Sequence, residues 1–263
     1  MTLIQTLLYY IPTYLLGILM VALFCAFAAA GLLVFRKMIP VDRSIQHNDI
    51  AGFIFSTMGV MYAVLVAFMV IISWQSFDKT STNLEREADY YADLYRDSAA
   101  LSPDARTKIK TALTAYISSS VDDEWPLLAK GRSSEKTNKL FLKVWDAYTD
   151  YTPRTEIQKV FFAESVQKLN DANELRRERI VDARTGLHPI LWFVLILSGA
   201  LTVLFTFFFG TQNRIEQLCM TCLLSTLIAM VLFTIMVFDY PFTGEISVSS
   251  AVLKQVLESL GAF

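Results

Sequence analysis

The residues with chemical potential in this sequence are mostly uncharged. Gly52, Ser56, Gly59, Ala63 and Ala67 recur at steps of four, three, four and four within a stretch that holds no ionisable side chain. Small residues at that spacing let a second helix approach closely, and in lipid such contact drives packing. The adjacent face of the same helix carries Phe53, Thr57, Val60, Val64 and Ile71. In an oligomer this face can surround an axis as an apolar constriction with one hydroxyl near its mouth, and such constrictions gate by dewetting. Lipid contact is the alternative for it.

Other candidates carry less. Cys219 and Cys222 form a CxxC, but with Cys25 they lie in apolar runs and no His accompanies them. They read as small hydrophobes rather than a redox or metal motif, and no cofactor is implied. Asp122-Asp123-Glu124 is the densest acidic cluster. It supplies part of a calcium shell but matches no loop spacing, so a solvated helix end is the expectation. His47 and His188 each stand beside an apolar run, and no HExxH, GxSxG or P-loop is present. No enzyme is expected, and no metal site.

The elements that position these residues follow from charge segregation. Of 23 Lys and Arg, 18 fall between residues 75 and 186, as do 19 of 25 Asp and Glu. The chain is 54% hydrophobic and its net charge of −2 gives no reason to expect a nucleic-acid partner. Two solvents are implied, hydrocarbon and water. Four runs are long enough to span a bilayer: about 13–35, 50–74, 189–209 and 218–238. Each must be helical, because hydrocarbon offers backbone groups no partner. Residues 1–35 carry no charge, so a cleaved signal peptide is not expected.

The expected fold is therefore an all-α membrane protein with four transmembrane helices and a helical extramembrane domain between the second and third. Its divisions are 1–74 (an interfacial helix ending at Pro12, then two spans), 75–186 (the helical domain), 187–240 (two spans) and 241–263 (a tail). The second span is expected to run on through Leu101 as one helix. Ser102-Pro103 and Thr152-Pro153 mark further helix starts. Tyr14, Trp74, Trp192 and Tyr240 form a one-sided interfacial belt. Arg36, Lys37, Arg43 and Arg214 in the short loops argue one topology, and the basic residues beside the domain argue the other. The expectation is a cytoplasmic domain with both termini inside. Asp239, an acid at a helix C-terminus, invites a cationic partner among Arg176 to Arg184.

A resemblance appears in the succession GVMYAVLVAFMVIISWQSF, EREADYYADLYRDS, YISSSVDDEWP, LHPILWFVLILSGA and FDYPFTG. Together they resemble the bestrophin-like domain family of mostly bacterial membrane proteins. The likeness implies a homo-oligomer, a pentamer if the analogy with bestrophins holds. It also implies passive conduction of small anions such as chloride through a pore lined by the second span, in the bacterial inner membrane. No close match to the acidic calcium clasp of animal bestrophins is present, so calcium gating does not carry over. A non-conducting sensor or scaffold, with the helical domain binding a ligand or protein, is the rival expectation.

Overall fold

The structure is a computed structural model and describes residues 1–38, 48–209, 211 and 213–261. Arg43 and His47 lie outside the described residues. All regular elements among them are helical. They are α1 (Leu3–Tyr10), α2 (Thr13–Met38), α3 (Asn48–Asp97), α4 (Pro103–Ser119), α5 (Trp125–Leu128), α6 (Glu135–Thr149), α7 (Glu156–Asp182), α8 (Pro189–Phe205), α9 (Arg214–Asp239) and α10 (Ala251–Gly261). The helices α2, α3, α8 (with its short 3-10 extension) and α9 are long and apolar enough to cross a membrane. The chain divides into two compact units, one of residues 1–9, 77–185 and 240–263, the other of 10–76 and 186–239. The first therefore takes in the N-terminal helix and the C-terminal tail, which the sequence reading had set apart from the 75–186 segment.

In the helical unit, periodic apolar residues become the core. Leu84, Ala88 and Tyr91 of α3 meet Ile109, Leu113, Tyr116 and Ile117 of α4, with Phe141, Val144 and Tyr148 of α6 and Leu169 of α7. Ser102 caps α4 by accepting the Ala105 N–H, with Pro103 in the first turn. The start of α7 differs from the expected Thr152-Pro153. Thr155 and Gln158 bond each other's backbone N–H groups in a capping box, so the helix begins at Glu156. Local hydrogen bonding outweighs the proline signal.

Two further segments close this unit. Leu253 and Leu260 of α10 enter the core, and the Tyr95 hydroxyl donates to the Leu260 carbonyl at 3.1 Å. Gln5 of α1 is fully buried, its amide donating to the Ala183 carbonyl and the Thr243 hydroxyl. Gly131 makes room for it. At φ +66° it holds a conformation that L side chains rarely adopt, and a Cβ there would lie 3.1 Å from the Gln5 amide. Tyr240 is buried too, its hydroxyl accepting from Thr2 at 2.8 Å. It therefore does not join Tyr14 and Trp74, both exposed, in an interfacial belt.

Asp182, at the end of α7, accepts from the Thr80 hydroxyl at 2.8 Å. Burial holds its carboxyl above the ordinary aspartate range; the Thr80 bond opposes this and nearby Glu178 reinforces it. The folded state thus binds this proton more tightly than the unfolded chain does. Its contribution is fully present below the ordinary value of about 3.9 and is lost as pH rises through the raised one. Asp182→Asn lacks this loss. The melting-temperature difference between Asp182→Asn and the unaltered protein should move in favour of the variant as pH rises across that window. A pH-independent difference would overturn the assignment.

In the second unit, α2 and α9 pack as an antiparallel pair. Gly17 lies against the Phe233 ring, the Cys25 thiol donates to the Cys222 carbonyl, and Arg36 Nε donates to Gln217 Oε1 at 2.6 Å. All three cysteines are free. Gly31 accepts the Phe207 ring edge, and a Cβ would stand 2.9 Å from it. Helix α8 starts at Pro189 with His188 as its cap, Nδ1 accepting the Ile190 N–H. It meets α3 where Gly199 approaches the Tyr62 hydroxyl.

Candidate functional site

The membrane half of helix α3 packs on one side only. Tyr62, Val66, Met69 and Val70 turn toward the other spans, and Ser73 is buried beyond them. The opposite face is bare. Phe53 is 78% exposed, Val60 64%, Val64 50% and Ile71 49%, and Thr57 is exposed as well. These five residues share one stripe of a continuous helix, and no charge interrupts it.

The two hydroxyls nearest the mouth of this stripe are already engaged. Ser56 donates to the Gly52 carbonyl at 2.9 Å and Thr57 to the Phe53 carbonyl at 3.2 Å. Each thereby satisfies its proton one turn back and presents oxygen lone pairs outward. Thr57 is the single polar group on an otherwise aliphatic and aromatic stripe. Such a surface binds no ion tightly, and the helix holds it in one register.

The five small residues stand beside that stripe. None is buried: Gly52 and Gly59 are half-buried, while Ser56, Ala63 and Ala67 are exposed. A Cβ on Gly52 or Gly59 would meet nothing within 4 Å. Gly59, Ala63 and Ala67 instead form one wall of an apolar groove of about 650 Å³, with Leu224, Leu227 and Val231 of α9 opposite. Among the described residues no helix of the same chain fills it.

The acidic run divides three ways. Asp122 accepts from Ser118 and is exposed. Asp123 accepts from Ser119 and pairs with Lys136 at 2.7 Å, and the Lys136 and Ser119 bonds hold its carboxyl below the ordinary range. Glu124 is wholly buried, which corrects the solvated-end expectation at this residue. The cause is a π-turn over Ser120–Glu124, which rotates the helix by an extra residue and swings Glu124 inward. Among the described residues no three His, Cys, Asp or Glu side chains converge as a metal site would require.

Glu124 joins a buried cluster that sequence reading missed. Arg176 Nη2 donates to Glu124 Oε1 at 3.2 Å, while Arg179 donates from Nε to Glu87 at 2.8 Å and lies 3.4 Å from Glu124. The Tyr91 hydroxyl also donates to Glu87. Both guanidinium groups face aromatic rings: Arg176 over Phe141 and Tyr116, Arg179 over Trp125. Burial pulls the Arg179 pKa down, but the charge of Glu87 outweighs it and holds Arg179 firmly cationic. Burial, and then Glu87, pushes the Tyr116 hydroxyl up. Two anions and two cations balance. The signal was available in phase: Glu87 shares the Leu84, Ala88, Tyr91 stripe, and Arg176 and Arg179 share that of Leu169, Ala172 and Leu175.

Asp239 is a second correction. Among the described residues it meets no arginine; its Oδ1 accepts the Leu187 N–H at 2.5 Å and its Oδ2 the Trp192 indole N–H at 3.1 Å. Arg176 and Arg179 are already committed to Glu124 and Glu87. The acid thus ties the end of α9 to the entry of α8.

Comparison with known proteins agrees with this architecture. A profile of the Bestrophin-like domain matches residues 22–253. Among curated proteins none matches the chain. Crystal structures of a bacterial Bestrophin homolog from Klebsiella pneumoniae share the fold. One, a point mutant, superposes with a TM-score of 0.70 at 14% identity over 91% of this chain and 97% of that one. Another, from Zn-SAD phasing, gives 0.69 at 14% identity over 92% and 96%. At that identity the likeness speaks for fold alone. With the profile spanning most of its length, and with four helices long and apolar enough to cross a membrane, this chain is a membrane protein of the Bestrophin-like domain family.

Proposed function

We propose that this protein is a homo-oligomeric channel that conducts small ions passively, with α3 of each copy lining a central pore. The bare, uncharged stripe from Phe53 to Ile71 carries the reading. It runs about 18 residues, roughly 27 Å at 1.5 Å per residue, close to the hydrocarbon thickness. Around an axis it forms a narrow apolar conduit, where wetting rather than binding controls passage. Residues 13–35, 50–74, 189–209 and 218–238 hold no Asp, Glu or His to serve as a proton relay, so coupled transport has no relay chemistry there to use.

Small anions, chloride first, are the ions that the family resemblance names. Thr57 is compatible with a passing anion if its hydroxyl turns from the Phe53 carbonyl, exchanging one hydrogen bond for another. The protein sits in the bacterial inner membrane in this reading, with the helical unit and both termini in the cytoplasm.

Purified protein in planar bilayers should carry a chloride-permeable current. Val60→Ala widens the stripe and should raise the current; Thr57→Ala removes its only hydroxyl and should lower it. The same truncation at Val181, exposed on α7 outside the spans, should change neither. Silence from correctly assembled protein would favour the non-conducting sensor or scaffold instead.

A further inference from the structure

The turn around Gly131 gathers cations. Gly131 backs onto the Gln5 amide of α1 and the Ala183 carbonyl. Gln5 donates to Ala183 and Thr243, and Thr243 donates to the Ala129 carbonyl at 2.9 Å. Helix α1, the 129–133 turn and the end of α7 are thereby tied into one junction. Its cations are Lys130, Arg132 and Arg184. Lys130 Nζ lies 5.1 Å from the centre of the Tyr9 ring, and Arg184 donates to the Ser133 hydroxyl at 2.7 Å. Among the described residues none of the three forms an ion pair with a carboxylate. Of the acids nearest along the chain, Asp182 is bonded to Thr80 and Glu124 to Arg176, and exposed Glu245 leaves the cations in excess.

Connectivity sets this junction at the bilayer surface. Tyr10 ends α1 three residues before α2, and Arg184 lies five residues before α8, both helices long and apolar enough to cross a membrane. Even fully extended, neither gap exceeds about 18 Å. Helix α1 is itself two-sided. At 3.6 residues per turn Gln5 and Leu8 share the buried side, while Leu3, 77% exposed, and Tyr10, 73% exposed, share the outer one. A short helix with an apolar outer face and a flanking lysine suits the boundary between headgroups and acyl chains.

We infer that this junction binds the headgroups of anionic phospholipids, with α1 seated at that boundary and Lys130, Arg132 and Arg184 on the phosphates. Charge complementarity selects the occupant. A neutral lipid satisfies the outer face of α1 equally but leaves three cations unanswered, whereas guanidinium forks match phosphate oxygens in geometry as well as sign. Each cation beside an anionic membrane surface is worth about fivefold in binding. The inference rests on residence in the membrane and not on conduction.

The full-length protein in detergent is titrated with dioctanoyl-phosphatidylglycerol while its melting is followed. The lipid should raise the melting temperature. Lys130→Gln, Arg132→Gln and Arg184→Gln should each raise the half-saturating concentration about fivefold, and the triple variant should lose the response. Lys139→Gln, exposed on α6, should leave it unchanged. The charge-keeping triple variant Lys130→Arg, Arg132→Lys and Arg184→Lys should retain it, which separates lost binding from lost folding. Loss in that variant too would overturn the role of charge. Equal stabilisation by dioctanoyl-phosphatidylcholine would reduce the site to apolar contact and overturn the proposal. Glycerol 3-phosphate acting as well as the lipid would overturn the membrane as its source. A full response from the triple glutamine variant would place the anionic lipid elsewhere and overturn the assignment.

Discussion

Arg179→Met should lower the stability of the protein by about 3–5 kcal/mol, the range for removing one partner of a buried ion pair. Arg179 is 3% exposed and Glu87 is fully buried, so neither finds water when the other is lost. The bonds at stake are those from Arg179 Nε and Nη2 to the Glu87 carboxylate, at 2.8 and 3.1 Å. Glu124 loses its second cation as well. Methionine keeps much of the volume and packs against Trp125, so the loss is electrostatic rather than a cavity. The double variant Glu87→Met with Arg179→Met removes both charges and should recover much of the loss, since apolar replacement of a whole buried pair is often neutral or better. Exposed Arg177→Ala should cost under about 0.5 kcal/mol. Thermal unfolding in detergent compares the three. If Arg179→Met melts with Arg177→Ala, the cluster does not stabilise the helical unit.

Asp239→Ala should cost about 2–6 kcal/mol, because it strands two donors at about 1–3 kcal/mol each. Asp239 is 7% exposed, and the Leu187 amide and Trp192 indole have no other acceptor assigned. The arrangement also explains why a carboxylate tolerates the unfavourable end of the α9 dipole: it faces N–H groups at the start of another helix, where the dipole has the opposite sign. Asp239→Asn should fall between, since the amide oxygen accepts one donor while its NH₂ opposes the other. Trp192→Phe in the Asp239→Ala background should recover part of the loss by removing one stranded donor. Equal melting of Asp239→Ala and the unaltered protein would contradict the geometry.

Both residues show where sequence reading stops. A carboxylate at core phase, as at Glu87, signals only that a partner must exist. Which partner answers depends on helices about 90 residues apart, and no local period encodes that pairing. The expectation that Asp239 meets an arginine was reasonable by charge and failed by geometry, because Glu124 and Glu87 had claimed the candidates. Glu124 itself was misread for a local reason. A single π-turn shifts the phase by one residue and moves an acid from solvent to core, and nothing in SVDDE announces it.

The spans, by contrast, were legible to within about four residues at their ends, as were the uninterrupted run of α3 into the aqueous segment and the apolar faces of α4, α6 and α7. Backbone in hydrocarbon has one economical solution, so length and hydropathy suffice there. Periodicity suffices for a helix that buries one face. The placement of Gln5 under Gly131 and the choice of ion-pair partners were different. They depend on contacts between segments distant in the chain, and only the folded molecule decides which of many equally compatible partners stands within reach.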